Sequence, residues 1–380
     1  MTEPAAKSTR KSSAGALITD EALSELLSRK GVVRAAHRPW NTAATADSIR
    51  QFAHGIGNLN SLWLNSDYAA ASRFGSLIAP PTFEYSCGVT FGGGMPGVHS
   101  LYGGSDFTFL HPIREGDSVS ATIQLEDLVE KTSRYAGRIF QQIERMIYTN
   151  QDGVVVTDSK HWVMRTERDT ARERAATAGR YPKRQLQTYT QEGISGIDEE
   201  YAREEVRGIE PRYWDDVAVG DYIPPVVKGP LRVTDMLAYL MGTGSPYVRA
   251  HSDNTRFRLE HPAAYQPNKQ GIPDVAERLH WENDFAHAIG VAGAYDYGQE
   301  RPCWISHMIT NWMGDAGWLQ RLNVRLARFN LIGDTTHTGA RIENKYLEGK
   351  DGIVHCSVWT RNQVGETTAR GEAWIVLPRK

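Results

Sequence analysis

The stretch Asn150-Gln-Asp-Gly-Val-Val-Val-Thr-Asp-Ser-Lys-His-Trp162 has a counterpart late in the chain, Asn362-Gln-Val-Gly-Glu-Thr-Thr-Ala-Arg-Gly-Glu-Ala-Trp374. The Asn-Gln pair, the following Gly and the Trp all repeat at one constant offset of 212 residues. Apolar and polar residues alternate on both sides of the Asn-Gln-x-Gly corner, so each copy predicts two strands around a turn. An offset of this length indicates two duplicated domains rather than a solenoid of short repeats.

Other segments support the duplication. Phe109–Val119 and Arg328–Thr335 both place Gly-Asp at a tight turn that leads toward a strand. In each half a helix precedes the strands: Asp67–Gly75 has strong helix formers and a final Gly, and Asn283–Gly290 has the same form. A helix followed by a run of antiparallel strands, twice, predicts the α+β class rather than alternating βαβ units.

The composition divides the chain into four parts. We expect residues 1–18 to be a disordered leader, 19–175 a first domain, 176–210 a linker and 211–380 a second domain that begins near Trp214. The charged stretch from Arg165 to Arg184 is typical of a linker or a solvated helix, and its arginines are expected to face solvent.

Length and charge exclude several classes of protein. The 380 residues suffice for two domains, and the net charge of −2 gives no cationic field for nucleic acid or an acidic membrane surface. The sequence contains no apolar run of about eighteen residues, so it predicts no membrane-spanning helix. The cysteines at 87, 303 and 356 are far apart and without metal-ligand spacing, which favours a reducing cytoplasm and predicts no metal or other cofactor.

Three segments of the chain resemble the MaoC-like hydratase/dehydratase family in its fused two-hotdog form. They are Asp67–Phe83, Val217–Asp221, and Tyr295–Gly298 with Thr310–Asp315, and the resemblance spans most of residues 40 to 380. It implies an α+β fold of two hotdog domains in tandem, each a long helix wrapped by a curved antiparallel sheet. It also implies tunnels for acyl thioesters between the two domains.

The family's chemistry uses an Asp and a His five residues apart, with the N–H of a later Gly for the thioester oxygen. In the first half these positions fall on Asn58, Trp63 and Pro81. Neither Asn nor Trp can shuttle a proton near neutral pH, and Pro has no N–H. The first half is therefore predicted to be non-catalytic, with Trp63 filling or lining its tunnel and contacting the acyl chain.

In the second half, residues 249–279 form an insertion that is expected to be a long loop. His280 follows it and matches the family's His at the start of the helix, so it is the candidate catalytic histidine. The position five residues before it holds Val275 instead of Asp. Asp274 is the first choice of acidic partner, and two other carboxylates stay open: Glu277 and Asp253.

The loop Tyr295-Asp-Tyr-Gly298 stands where the family holds the thioester oxygen, and Gly permits close approach of the backbone to a ligand. Gly298 is therefore the candidate oxyanion donor. Tyr295, Tyr297 and Trp281 are candidate substrate-binding residues, which together suggest a bulky pocket. Trp304–Trp312 has the apolar spacing of a buried helix, so His307 is interpreted as a core residue.

The resemblance implies a hydro-lyase that hydrates or dehydrates an enoyl or 3-hydroxyacyl thioester of CoA or a carrier protein. It also implies a cytoplasmic homo-oligomer, a dimer or larger. One alternative is a thioesterase with Asp67 or Asp284 as its carboxylate. The other is a non-catalytic acyl-thioester binding subunit, because both halves depart from the Asp/His pattern.

Overall fold

The computed structural model describes residues 17–90, 93–96, 98–131, 138–167, 184–289 and 291–380. Residues 1–16 of the predicted leader and residues 168–183 of the charged stretch lie outside this range, whereas Ile18, the last leader residue, is buried. The helices are α1 (Asp20–Leu27), α2 (Ala46–Gly55), α3 (Ser61–Leu64), α4 (Ser66–Ala71), α5 (Gln191–Ala202), α6 (Val233–Thr243), α7 (His251–Glu260), α8 (Asn283–Ala288) and α9 (Glu300–Met313). The strands are β1 (Arg34–Ala35), β2 (His99–Phe109), β3 (Ser120–Lys131), β4 (Ile139–Thr149), β5 (Val155–Thr166), β6 (Tyr222–Ile223), β7 (Val227–Lys228), β8 (Tyr265–Pro267), β9 (Pro273–Val275), β10 (Trp318–Leu326), β11 (Thr336–Glu348), β12 (Asp351–Asn362) and β13 (Thr367–Leu377).

One sheet joins the two halves. Its order among the described strands is β1-β3-β4-β5-β2-β10-β13-β12-β11-β6, with β7 pairing on β11. The antiparallel pair β2–β10 lies in the middle, with Gly104 opposite Arg325. On each side of this pair the strands follow the same order, so the structure confirms the α+β class and the tandem hotdog arrangement.

The repeated corners make the same hydrogen bonds in both halves. The side-chain oxygen of Asn150 accepts the N–H groups of residues 152 and 154, and that of Asn362 accepts those of residues 364 and 366. The next glutamine donates to the aspartate of the Gly-Asp turn in its own half, Asp117 or Asp334, at 2.9 Å in both. The duplication read from the sequence therefore extends to individual hydrogen bonds.

The central helix differs between the halves. In the second half it is α9, and all of its residues are buried under β10–β13. In the first half its counterpart is a single 3-10 turn, Phe83–Ser86. Positive φ angles before and after this turn, at Thr82 (78°), Gly93 (70°) and Gly94 (86°), are incompatible with a longer helix. The expected long helix is thus present in the second half, whereas the described part of the first half has the turn.

Helices α2 and α6 form a second contact between the halves, and it requires glycine on both sides. A Cβ atom at Gly55 would lie 2.8 Å from the carbonyl oxygen of Ala238. A Cβ atom at Gly242 would lie 2.8 Å from that of Gln51. The two backbones therefore approach more closely than any side chain would allow.

The insertion is not the predicted long loop. It contains helix α7, the hairpin β8–β9 and a 3-10 helix, Ala276–His280. Phe257, Tyr265 and Val275 form a small core of their own beneath these elements. The prediction of a loop was wrong because this local apolar cluster stabilises regular structure. None of the helices in the described residues is both long enough and apolar enough to cross a membrane.

Candidate active site

A cavity of about 1670 Å³ lies between the two halves. The first half contributes the beginning of β2, the end of β5 and the chain from Tyr85 to Thr90. The second half contributes the segment after α6, the 3-10 helix Ala276–His280 and the loop that leads into α9. Both halves are therefore needed to enclose whatever binds there.

His280 lies at the end of its 3-10 helix and lines this cavity. Its Nδ1 is 2.8 Å from the carbonyl oxygen of Tyr295, so Nδ1 carries the proton and Nε2 keeps a lone pair. The Tyr297 ring stacks on the imidazole at 4.0 Å between centroids. Burial lowers the pKa of His280 to about 4. The imidazole is therefore neutral near pH 7 and able to accept a proton.

Glu277 contacts the tyrosine that stacks on His280. Its Oε1 accepts the hydroxyl of Tyr297 at 2.8 Å, and its Oε2 accepts that of Ser245 at 2.6 Å. Burial raises its pKa. The tyrosine that stacks on the imidazole thus also donates to the acid, and the three side chains border one cavity.

The two other candidate acids lie elsewhere. Asp274 is on β9 outside the cavity lining, and its Oδ1 accepts the N–H of the adjacent Val275 at 2.8 Å. Asp253 lies at the cavity rim, where two arginines bind it: Arg249 at 2.6 Å and Arg256 at 2.7 Å. Asp274 pairs with Gln266 across the β8–β9 hairpin and does not line the cavity that His280 borders. Of the three candidate acids, Glu277 is the one that contacts the tyrosine stacked on His280.

Gly298 lies just before α9, where the second half meets β2 of the first. A Cβ atom there would come within 2.6 Å of Leu326 Cδ1 and 3.0 Å of Tyr102 Cδ1, so a larger residue would displace its neighbours. The cap residue Gln299 makes no side-chain bond to the first turn of α9. Free N–H groups at a helix N-terminus favour negative charge, as a developing enolate oxygen requires.

A buried ion pair holds the loop that leads to Gly298. Arg301 binds both carboxylate oxygens of Asp296, at 2.6 and 2.7 Å, and both side chains are almost fully buried. Arg301 also donates to the carbonyl oxygen of Thr368 at 2.8 Å, and Asn330 donates to Asp296 at 3.0 Å. The pair fixes the start of α9 against β13. Sequence reasoning missed this pair, because the repeat has no acid–arginine pair at the corresponding place in the first half.

The aromatic candidates divide into two groups. Tyr295 and Tyr297 line the cavity beside His280. Trp281 does not: it packs against the small core of the insertion. Trp63 is buried and borders the small cavity of the first half instead of the large one. Trp281 is thus corrected from a cavity-lining to a core position.

The equivalent site of the first half is filled. Trp63 is 2% exposed, and its Nε1 donates to the carbonyl oxygen of Asn58 at 3.2 Å. The amide of Asn58, which is fully buried, is 3.5 Å from Thr310 Oγ1 on α9. A cavity of only about 40 Å³ remains beside these residues. No proton carrier of the family pattern stands here.

Two tyrosines of the first half were missed by the sequence reasoning. Tyr85 and Tyr102 both line the large cavity, and their hydroxyls are 2.9 Å apart. The Tyr102 hydroxyl is also 3.3 Å from Nδ1 of the buried His161. They face the second half because β2 pairs with β10. The tunnel between the domains that the resemblance implies is the feature that could have identified them, because such a tunnel needs wall residues from both halves.

One family model matches part of the chain: residues 32–159 match the FAS1-like dehydratase domain region. UPF0336 proteins of Streptomyces are also similar to part of it: that of S. griseus is 25% identical over 119 residues, 29% of this chain and 77% of that protein. That of S. avermitilis is 27% identical over 90 residues, 22% of this chain and 60% of that protein.

Solved structures resemble the chain over nearly its whole length. A MaoC-like dehydratase has a TM-score of 0.62 at 16% identity, covering 93% of this chain and 100% of that one. A conserved hypothetical protein of Mycobacterium tuberculosis with a double hotdog fold has 0.52 at 12%, covering 92% and 96%. A MaoC-like dehydratase of Phytophthora capsici has 0.50 at 12%, covering 94% and 99%. The expected tandem hotdog fold of the MaoC-like type is confirmed.

Proposed function

We propose that this MaoC-like tandem hotdog protein is a hydro-lyase that adds water across the double bond of a 2-enoyl thioester, or removes it from a 3-hydroxyacyl thioester. The observation that carries the proposal is that neutral His280 and the N-terminus of α9 at Gly298 border the same cavity. This combination supplies a base and an oxyanion donor, the two groups that the reaction needs.

The residues support a balanced sequence of steps. Nε2 of His280 takes a proton from water as the water oxygen bonds to the β-carbon of the enoyl group. The resulting enolate oxygen is held at the Gly298 N–H. The imidazolium then returns its proton to the α-carbon, which completes the addition of water and leaves the histidine neutral. Burial, which lowers the pKa of His280, makes that imidazolium a strong acid.

Glu277 acts as a positioning residue in this proposal. Its carboxylate binds the hydroxyl of Tyr297, whose ring stacks on His280. The charge that favours a protonated His280 comes from Asp296, so the part of Glu277 is to hold Tyr297 against the imidazole. Glu277 thereby fixes the orientation of both rings before the substrate arrives.

The test is the hydration of crotonyl-CoA and of longer and branched enoyl-CoAs, followed as 3-hydroxyacyl-CoA by mass spectrometry. We expect His280→Ala to lower kcat/KM about 10²- to 10⁴-fold, the usual contribution of a general acid–base. His337→Ala is the matched control. His337 lies on β11, outside the cavity lining, and forms an ion pair with Glu200 on α5. Unchanged turnover in His280→Ala would remove this residue from the mechanism.

A second candidate function is acyl-thioester binding without turnover. The observation that favours it is Val275, which is buried where the family has its Asp. Tight binding of enoyl-CoA with no hydration across the panel would support this function instead. Hydrolysis is not favoured, since its candidate carboxylates, Asp67 and Asp284, are exposed and outside the cavity lining.

A further inference from the structure

Arg165 is a buried arginine of the first half that borders the cavity. It stands next to the end of β5 with only 5% of its surface exposed, whereas the sequence predicted a solvated charge. The prediction was wrong because Arg165 continues the inward-facing row of β5 after His161 and Val163, which are also buried. A charge placed inside a protein needs a partner, so its surroundings decide what it does.

The protein itself satisfies this guanidinium only in part. Nη2 donates to the carbonyl oxygens of Gly93 and Gly94, at 3.2 Å for Gly93. Nε is buried without a hydrogen-bond partner. Within the described part of the chain, no carboxylate lies at ion-pair distance from Arg165. The charge of Glu144 on β4 acts on it from further away, and Glu144 is bound by Gln142 at 2.6 Å.

The nearby cavity wall is largely apolar, with Tyr247 of the second half as a polar neighbour that favours the charged guanidinium. Met95, Val98, Ile139 and Val163 line the cavity there and are each less than a tenth exposed. A guanidinium in such a place is stabilised by a planar anion that accepts two parallel hydrogen bonds. Without one, the burial of this guanidinium is only partly compensated, by the two glycine carbonyl oxygens.

The sheet register places the backbone of Arg165 near the candidate reacting centre. The Tyr102 side chain on β2 packs beside Gly298, the candidate oxyanion donor. Ser100, two residues away on the same strand, stands opposite Arg165 on β5. Two strand residues span about 7 Å, so the backbone separation along the sheet is comparable to the length of a short acyl chain.

We propose that Arg165 binds a carboxylate at the far end of the acyl group, so that the substrate is the thioester of a short dicarboxylic acid. This rests on the proposed function for the reaction, but the recognition itself needs no turnover. A carboxylate fits better than a phosphate of the thioester carrier, because Arg165 is deep in the wall. The exposed Arg38, which stacks on Phe257 at the rim, is the cation that a carrier would meet first.

The test compares two saturated ligands, glutaryl-CoA and pentanoyl-CoA, by titration calorimetry. They have the same carbon number, differ in the terminal carboxylate and cannot be hydrated. We expect the wild type to bind glutaryl-CoA at least tenfold more tightly, as a charge-assisted hydrogen bond provides. Arg165→Gln should abolish this preference, and Arg165→Lys should keep part of it. Arg145→Gln, which removes an arginine paired with Asp158 on the neighbouring strand, should leave it unchanged.

Several outcomes would overturn the inference. Equal affinity of the wild type for both ligands, or no binding of either, would overturn it without any variant being made. An equal loss of affinity for both ligands in Arg165→Gln would assign Arg165 to the carrier instead. If Arg165→Gln does not fold, Arg165→Lys decides between the carboxylate and the carrier in the same way. Failure of the proposed hydration is a separate result, since it would appear as absent turnover with the binding preference intact.

Discussion

The two halves have the same fold, but they differ in the side chains and in the free volume at the candidate sites. In the first half the indole of Trp63 is buried and hydrogen-bonded to Asn58, and about 40 Å³ of space remains beside it. In the second half the smaller imidazole of His280 borders the cavity of about 1670 Å³ between the halves. If Trp63 stands where the resemblance implies a histidine, the same bulky side chain replaces the proton carrier and fills the space beside it.

The halves also differ at the oxyanion position. Gly298 precedes a full helix, whereas its counterpart Pro81 precedes one 3-10 turn and has no N–H to donate. The first half instead places Tyr102 and Arg165 in the wall of the shared cavity. In our proposal the second half therefore supplies the reacting groups and the first half recognises the substrate.

Among variants that test the different roles of the two halves, Trp63→Ala is expected to have the largest effect. Removing a fully buried indole leaves a cavity in the core, so the free energy of unfolding should fall by about 3–5 kcal/mol. The rate per folded molecule should be unchanged, because Trp63 does not line the large cavity. Urea denaturation and hydration assays below the unfolding transition measure the two effects separately.

Trp63→Phe serves as the graded control, since it keeps an aromatic ring and should lose less than half as much stability. A fall in kcat for Trp63→Ala in molecules that remain folded would contradict the division between the halves. It would mean that the filled site still takes part in the reaction.

A smaller effect is expected from Glu277→Gln. The change keeps the shape of the side chain but weakens the hydrogen bond that holds Tyr297 against His280, so kcat should fall about tenfold, or ~1.4 kcal/mol. Binding of butyryl-CoA, which cannot be hydrated, should change little. The matched variant in the other half is Glu84→Gln: this acid is also buried, and burial raises its pKa to about 7, but it borders the small cavity. If both variants reduce kcat equally, the comparison between the halves fails.

The fold was predictable from short local patterns. The Asn-Gln-x-Gly corners repeat because their side chains close the same turns, and hydrogen bonds of this kind depend on neighbouring residues alone. His280 and Gly298 were also found locally, each next to the start of a helix, and the structure brings them to one cavity.

The rest of the site depends on contacts between distant parts of the chain. Asp274 and Trp281 were misplaced because the insertion folds around its own apolar core, which turns both away from the cavity. Arg165 appeared to begin a solvated charged stretch, but the register of β5 against β2 directs it inward. Tyr102 reaches the second half only through the pairing of β2 with β10, strands more than 200 residues apart. No local pattern encodes such pairings.

The smallest effect concerns pH, and it distinguishes a buried histidine that reacts from one that does not. Burial lowers the pKa of His280 to about 4, and that of His161 in the first half to about 3. Only neutral His280 accepts a proton, so kcat/KM should change less than about twofold between roughly pH 8 and pH 6 and fall with a midpoint near 4. A midpoint near 6.5, the ordinary value for histidine, would show that the imidazole is solvated.

The pH dependence of the free energy of unfolding should reflect both histidines. The pKa of each histidine is lower in the folded chain than in the unfolded chain. Below about pH 6.5 the unfolded chain therefore binds more protons. The stability that each neutral histidine provides above that pH is lost as the pH falls through its folded pKa. His280→Gln and His161→Gln should both flatten this pH dependence in unfolding experiments. In His161→Gln the pH–rate midpoint should remain near 4, because only His280 is proposed to take a proton from water. A shifted midpoint in His161→Gln would instead connect the first half to the chemistry through the hydrogen bond between Tyr102 and His161.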